Sequence, residues 1–252
     1  MILGRLDNKV AIVTGSGRGI GKLIASVLAE EGAHILINDV DIKEANEAAE
    51  EIRKKGSKVI VAAGMPEGDV TKEENCLKMV MEAKEKLGGL HILVNNAGVT
   101  KDKTIHKMDD KMWNAVMDVN LKGTFLMIKA ASEHFKKQRY GKIVNLSSVG
   151  GLGSNIGQIN YATSKAAVIS LTKSVARELA SYNVCVNVLA PGIIDTRLTR
   201  AMPDEKFDYI TDAIPMGLGK PIDVARAVLG LCSSDFDYVT GQLINVSGGL
   251  VI

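Results

Sequence analysis

Tyr161 and Lys165 stand four residues apart in the stretch NYATSKAA, residues 160–167. On a helix that spacing sets both side chains over one patch of surface. A phenol alone titrates near ~10 and is a poor base at neutral pH, but a neighbouring cation favours the phenolate. The pair could therefore act as a tuned general acid/base. The pattern is short enough to arise by chance, so the rest of the chain must decide whether it is chemistry.

A second constellation lies near the N-terminus, in TGSGRGIG, Thr14 to Gly21. It falls where an apolar run turns into a helical pattern. Gly15 permits the turn, and Gly19 and Gly21 let backbone and helix approach a pyrophosphate at the positive end of the helix. Arg18 and Ile20 belong to the same loop. Asp39 ends the next apolar run, ILIND. An acid there accepts hydrogen bonds from the adenosine ribose and repels a 2′-phosphate, whereas Arg18 suits a phosphate. Asp39 should face the ribose directly, so NAD is favoured over NADP. Asp41 is the alternative ribose ligand.

The elements that must hold these groups alternate along the chain. KVAIVTG, HILIND, KVIVAAG, HILVNNAG, GKIVNLSS, VCVNVLAPG and QLINVSGG read as strands. They are continuous apolar runs, as expected of strands covered on both faces. Between them lie helical patterns. One carries Ile20, Leu23, Ile24, Val27 and Leu28 with Gly32 as its stop. Another carries Ala45, Ala48, Ala49 and Ile52 as its apolar stripe. Thr71 and Glu74 form a capping-box signature for a third, and Pro221 suits the first turn of a late helix. Strand–helix alternation over the whole length predicts an α/β fold, a Rossmann-type doubly wound parallel sheet with helices on both faces. No linker or composition break appears, so residues 1–252 are expected to form a single domain.

Composition excludes other classes. Lysine and arginine number 31 against 29 acids, a formal charge of +2, and aromatic residues make up 4%. That is neither a basic surface for nucleic acid nor an aromatic platform for bases. Three widely spaced cysteines and four scattered histidines offer no disulfide framework and no metal-ligand spacing, so no metal is expected. The segment MILGRLDNKVAIVTG lacks a long apolar signal region, and no stretch approaches ~18 continuous apolar residues. A cytoplasmic protein with no membrane span is expected.

The glycine loop, NNAG (Asn95 to Gly98), Ser148, and Tyr161 with Lys165 occur together and in order. The chain from about residue 6 onward resembles the short-chain dehydrogenase/reductase family. It is most similar to the 3-oxoacyl-ACP reductase branch, through GKIVNLSSVGG, INYATSKAAVISLTKSVARELA, VNVLAPGIIDT and GQLINVSGGL. The resemblance implies four catalytic residues. Asn120 would hold a helix kink and a water in a proton relay, and Ser148 would hydrogen-bond the substrate oxygen. Tyr161 would be the acid/base, with Lys165 as its electrostatic partner and a contact of the cofactor ribose. Asp69 and Val70 would border the adenine, and Asn96, Ala97 and Gly98 would pack along the cofactor. Pro191, Gly192, Ile194 and Thr196 would hold the nicotinamide carboxamide. Alternation along the strand turns Ser147, the neighbour of Ser148, to the other side.

The implied reaction interconverts a ketone and a secondary alcohol, with a 3-oxoacyl thioester as the leading substrate. A small, cyclic or steroid-like alcohol is the alternative, and an idle dinucleotide sensor is a third reading. That branch mostly uses NADP, where Asp39 argues for NAD. The family keeps a substrate lid at about 197–216, and a homotetramer is expected. Lys136, Lys137, Arg139 and Lys142 form a basic patch suited to an acidic acyl-carrier protein or to a solvated helix end. Tyr182 stands where that branch often has arginine. Gly64, Met65, Pro66, Glu67 and Gly68 form a small insertion, expected on the surface, beside the adenine or without a role.

Overall fold

The computed structural model describes residues 4–153, 156–196, 199–201, 207 and 210–252. Seven parallel strands form one sheet in the order β3-β2-β1-β4-β5-β6-β7. They are β1 (Val10–Thr14), β2 (His34–Asp39), β3 (Val59–Ala63), β4 (Ile92–Asn95), β5 (Gly141–Leu146), β6 (Val184–Pro191) and β7 (Leu243–Val246). Strands β1, β4, β5 and β6 are buried along their length, which explains their unbroken apolar sequences. The edge strands β3 and β7 are mostly half-buried.

The helices are α1 (Gly19–Glu30), α2 (Ile42–Arg53), α3 (Glu73–Leu87), α4 (Asp110–Met117), α5 (Thr124–Gln138), α6 (Ile159–Leu179) and α7 (Pro221–Cys232). Two apolar layers result. Helices α1, α2 and α7 bury their stripes on one face of the sheet, and α3 and α5 on the other. Pro221 opens α7, and the Lys220 amide donates to Asp223 Oδ2 at 2.8 Å.

Strand order reverses direction between β1 and β4. In such a sheet the crevice beyond the carboxyl ends of those strands is where a ligand binds. All the loops that follow the strands open on this edge, so the glycine loop, Asp39, the NNAG turn and Ser148 converge there.

Two local expectations are corrected. Helix α3 does not begin with a Thr71–Glu74 capping box. Its N-cap is Lys72 without a side-chain cap, because Asp69 Oδ1 takes the Thr71 amide at 2.9 Å. Lys142 is not part of a surface patch. It is buried in β5, where its ammonium meets Asp237 Oδ1 at 2.6 Å and the Phe236 carbonyl at 3.2 Å. His91, half-buried just before β4, accepts the Val10 amide on its Nδ1 at 3.0 Å. The three cysteines are free and buried, and no described helix is long and apolar enough to cross a membrane. The expected lid falls partly on 197–198, 202–206 and 208–209, which lie outside the described residues.

Candidate active site

The glycine loop is held from beneath by Asn96, whose Nδ2 donates to the carbonyls of Thr14 (3.0 Å) and Gly15 (2.8 Å). The Asn96 and Ala97 amides in turn donate to Thr14 Oγ1, each at 3.1 Å. The end of β4 and the loop after β1 are thereby one rigid piece. Side chains are excluded from the floor: a Cβ on Gly21 would stand 2.1 Å from the Gly15 carbonyl oxygen, and one on Gly15 would stand 2.8 Å from Ala97 Cα. Gly19 differs. Its φ is +58°, and a Cβ there would meet nothing within 4 Å, so the backbone faces open space at the start of α1. That is the cradle a pyrophosphate needs, and the residues present fit a dinucleotide. Ile20 packs its side chain on the core, so only its backbone is offered to a ligand.

Gly21→Ala should therefore collide with backbone. Overpacking of this kind costs about 1–3 kcal/mol, so both the unfolding midpoint and dinucleotide affinity should fall. Denaturant unfolding and a fluorescence titration with NADH check this. A variant that binds normally would show the loop to be loose.

The cleft beside the glycine loop is lined by Gly15, Arg18, Asn38, Asp39, Val40, Gly68, Asp69, Val70 and the run Asn96 to Val99, where an adenosine would lie. Asp39 Oδ2 accepts the Gly17 amide at 2.9 Å and Oδ1 accepts the Asp41 amide at 3.1 Å, which fixes the carboxylate at the rim. Asp41 is instead the N-cap of α2, its Oδ1 accepting from the amides of Lys43 and Glu44. The insertion after β3 folds back onto β2: the Gly64 amide donates to the Asp39 carbonyl at 3.0 Å, and the Gly68 carbonyl accepts from Asn38 Nδ2 at 3.0 Å. Its far end thus borders the adenosine side of the cleft. Val70 is buried against Gly123, where a Cβ would come within 2.8 Å of Val70 Cγ2.

The other end of the site is built around a break in helical geometry. Between α4 and α5 the chain forms a π-helical turn, Asp118–Gly123. Such bulges widen a helix locally and are frequent at functional sites. Here it carries Asn120, almost fully buried, whose Oδ1 accepts the Val99 amide at 2.8 Å. Asn120 Nδ2 donates to the Val99 carbonyl (3.1 Å) and Ser164 Oγ (3.0 Å). Gly98 lies between Asn120 and Lys165: a Cβ there would be 3.4 Å from Asn120 Oδ1 and 3.5 Å from Lys165 Nζ.

Helix α6 supplies Tyr161 and Lys165. Its first turn is fixed by Asn160, whose Oδ1 accepts the Tyr161 amide (2.8 Å) while Nδ2 donates to the Lys101 and Met112 carbonyls. The Tyr161 phenol is hydrogen-bonded to Ser148, and Ser148 Oγ also accepts the Gly150 amide at 3.1 Å. Ser147 points elsewhere, its hydroxyl donating to the Lys165 carbonyl at 2.8 Å. Lys165 Nζ donates to the Leu146 carbonyl at 2.8 Å and lies 5.7 Å from the centre of the Tyr161 ring. Pro191, Gly192, Ile194 and Thr196 follow β6 on the same edge of the sheet; Ile194 bridges to Gly219, and the Thr196 amide donates to Thr199 Oγ1.

Burial, the dominant influence, pushes the Tyr161 phenol above its ordinary value; the Ser148 hydrogen bond pulls it down, and Asp102 adds to the rise. Burial also lowers Lys165 to about 8. The Ser148 hydrogen bond does not offset burial, so the phenol stays above its ordinary value. Asn160 and Ser164 were missed as positioning groups. Their signal was only a polar residue beside Tyr161 and another on its helix face.

Residues 15–251 match the family model described as enoyl-(acyl carrier protein) reductase. Among curated relatives, the 3-oxoacyl-(acyl-carrier-protein) reductase FabG of Aquifex aeolicus is 44% identical, covering 98% of both chains. That of Thermotoga maritima is 41% identical over 98% of this chain and all of its own. A solved structure of a proposed short-chain alcohol dehydrogenase from Sinorhizobium meliloti superposes with a TM-score of 0.92 at 34% identity, covering 97% of each chain. A proposed gluconate dehydrogenase from Agrobacterium tumefaciens gives the same TM-score at 32% identity over the full length of both.

Proposed function

The chain belongs to the short-chain dehydrogenase/reductase family, and from that premise we propose that it reduces a 3-oxoacyl thioester to the 3-hydroxy product with NADH. The observation that carries this reading is the Tyr161 phenol, hydrogen-bonded to Ser148 at one end of a dinucleotide cleft. The bound nicotinamide supplies the hydride. Tyr161 gives its proton to the carbonyl oxygen, and Ser148 stabilises the charge that develops there. Asn120 and Lys165 flank Gly98 beside Tyr161, where the resemblance gives them a proton relay.

Burial holds Tyr161 above its ordinary value, so at neutral pH the phenol carries a proton that it can give to a carbonyl oxygen.

Asp39 supports NAD over NADP: its carboxylate is fixed at the ribose end by two backbone amides, and a 2′-phosphate there would meet a negative charge. An acyl-carrier protein is the thioester's carrier in this reading, as the names of the FabG relatives suggest. Lys136, Lys137 and Arg139, however, stand just before β5, at the sheet edge opposite the cleft, and Lys136 is paired with Glu133 at 2.9 Å, so the patch lends it no support. Lys136 lies over the Tyr182 ring at 5.3 Å and Arg139 is held to the Ser181 carbonyl, so these cations and Tyr182 form one surface. A homotetramer is supported by an apolar face of Met117, Leu121, Phe125 and Leu171, on which Phe125 is exposed. Oxidation of a small, cyclic or steroid-like alcohol is the second reading, supported by the resemblance to the proposed alcohol and gluconate dehydrogenases.

The test is oxidation of NADH and NADPH side by side with an acetoacetyl thioester. NADH should be oxidised with the higher kcat/KM. Turnover with NADPH alone would overturn the role given to Asp39. No turnover with either, joined to reduction of NAD by simple alcohols, would replace the substrate class.

A further inference from the structure

The glycine loop packs against the first turn of α2. Arg18 is the only cation within the loop, and it lines the nucleotide cleft together with Asp39. Its guanidinium Nη1 lies 3.6 Å from Glu44 Oε1. Glu44 follows Asp41 by three residues, and Asp41 Oδ1 already occupies the amides of Lys43 (3.0 Å) and Glu44 (3.2 Å). The amides at a helix N-terminus are the usual seat of a phosphate, but here a carboxylate fills them. Asp39 and Arg18 line the cleft, and Glu44, in the first turn of α2, reaches the guanidinium from outside it. The neighbouring Lys43 faces Glu47 at 4.0 Å on the exposed side of α2.

We propose that Glu44 is a second determinant of dinucleotide choice, acting on Arg18 as a positioning residue. By pairing with the guanidinium it withholds from a 2′-phosphate the one planar, bidentate donor within the loop. An exposed ion pair stabilises the fold little. Its effect on choice is larger, because discrimination depends on what the guanidinium is free to do. The proposal rests on the nucleotide site assigned above and extends it from β2 to α2.

The probes are adenosine 2′,5′-bisphosphate and AMP, which differ only in the 2′-phosphate and need no catalysis. Each is titrated by calorimetry into the full-length wild type, Glu44→Gln, Arg18→Gln and the double variant. Glu44→Gln should tighten the bisphosphate by roughly 3- to 10-fold while leaving AMP unchanged, the scale of a freed charge-assisted contact. In the Arg18→Gln background the same substitution should bring no gain. KM for NADPH should fall in parallel, with kcat unmoved. Unchanged bisphosphate affinity in Glu44→Gln, or an equal gain without Arg18, overturns the proposal. A wild type that binds the bisphosphate more tightly than AMP would instead overturn the role of Asp39, and the increment due to Glu44 would still be read from the cycle.

Discussion

Tyr161→Phe is expected to leave NADH binding intact and to lower turnover by about 10²-fold or more, the scale of a lost general acid. The substitution keeps the ring and removes only the hydroxyl. The ring's place is set by Asn160 through the backbone of α6, which the substitution does not touch. The cleft floor is built by Gly15, Gly21 and Asn96, on other elements. What disappears is the proton donor, together with the hydrogen bond that orients Ser148. The Ser148 hydroxyl keeps the Gly150 amide as a partner, so the pocket should not collapse. Fluorescence titration with NADH and steady-state reduction of an acetoacetyl thioester separate binding from chemistry. Turnover within about tenfold of wild type would mean that another group delivers the proton, and the assignment of Tyr161 would fail.

The sheet was legible because its strands announce themselves twice, as apolar runs and as turns at glycine. Helix α2 was equally clear: Ala45, Ala48, Ala49 and Ile52, chosen by period alone, are all buried against the sheet. Other features depend on partners distant in sequence. Arg18 and Glu44 are 26 positions apart, and nothing local marks them as a pair. Lys142 reads as a surface cation beside Arg139, but strand geometry turns it inward, and its charge is met by Asp237 from beyond α7. The Thr71–Glu74 box is a sound local pattern that lost to Asp69, a better-placed acceptor two residues earlier. The direction of the Tyr161 shift follows from the degree of desolvation, which only the packed site defines.

Lys165→Met should abolish the advantage of the site while changing stability in a way that depends on pH. Its ammonium is buried and held near 8, against 10.5 for the free side chain. Between those values the unfolded chain holds a proton that the folded chain has released, so wild-type stability gains from rising pH. Below about 8 both states are charged and the full penalty of burying the ammonium is present. At neutral pH two effects oppose each other in the variant. Removing the buried charge stabilises, while the Leu146 carbonyl, deprived of its 2.8 Å donor, costs about 1–3 kcal/mol. A single melting temperature therefore decides nothing. The slope does: at about 1.4 kcal/mol per pH unit, the stability of wild type relative to Lys165→Met should rise by about 2 kcal/mol from pH 8 to about 9.5. Denaturant unfolding of both proteins across that range measures it, and parallel curves would mean that the folded lysine keeps its ordinary proton affinity. Turnover of the variant should fall by about 10²-fold or more, the scale of a lost electrostatic partner at a reacting group. Activity retained beside the expected slope would leave Lys165 a strained buried cation with no part in proton transfer, and the four-residue spacing from Tyr161 would then be an accident of the helix.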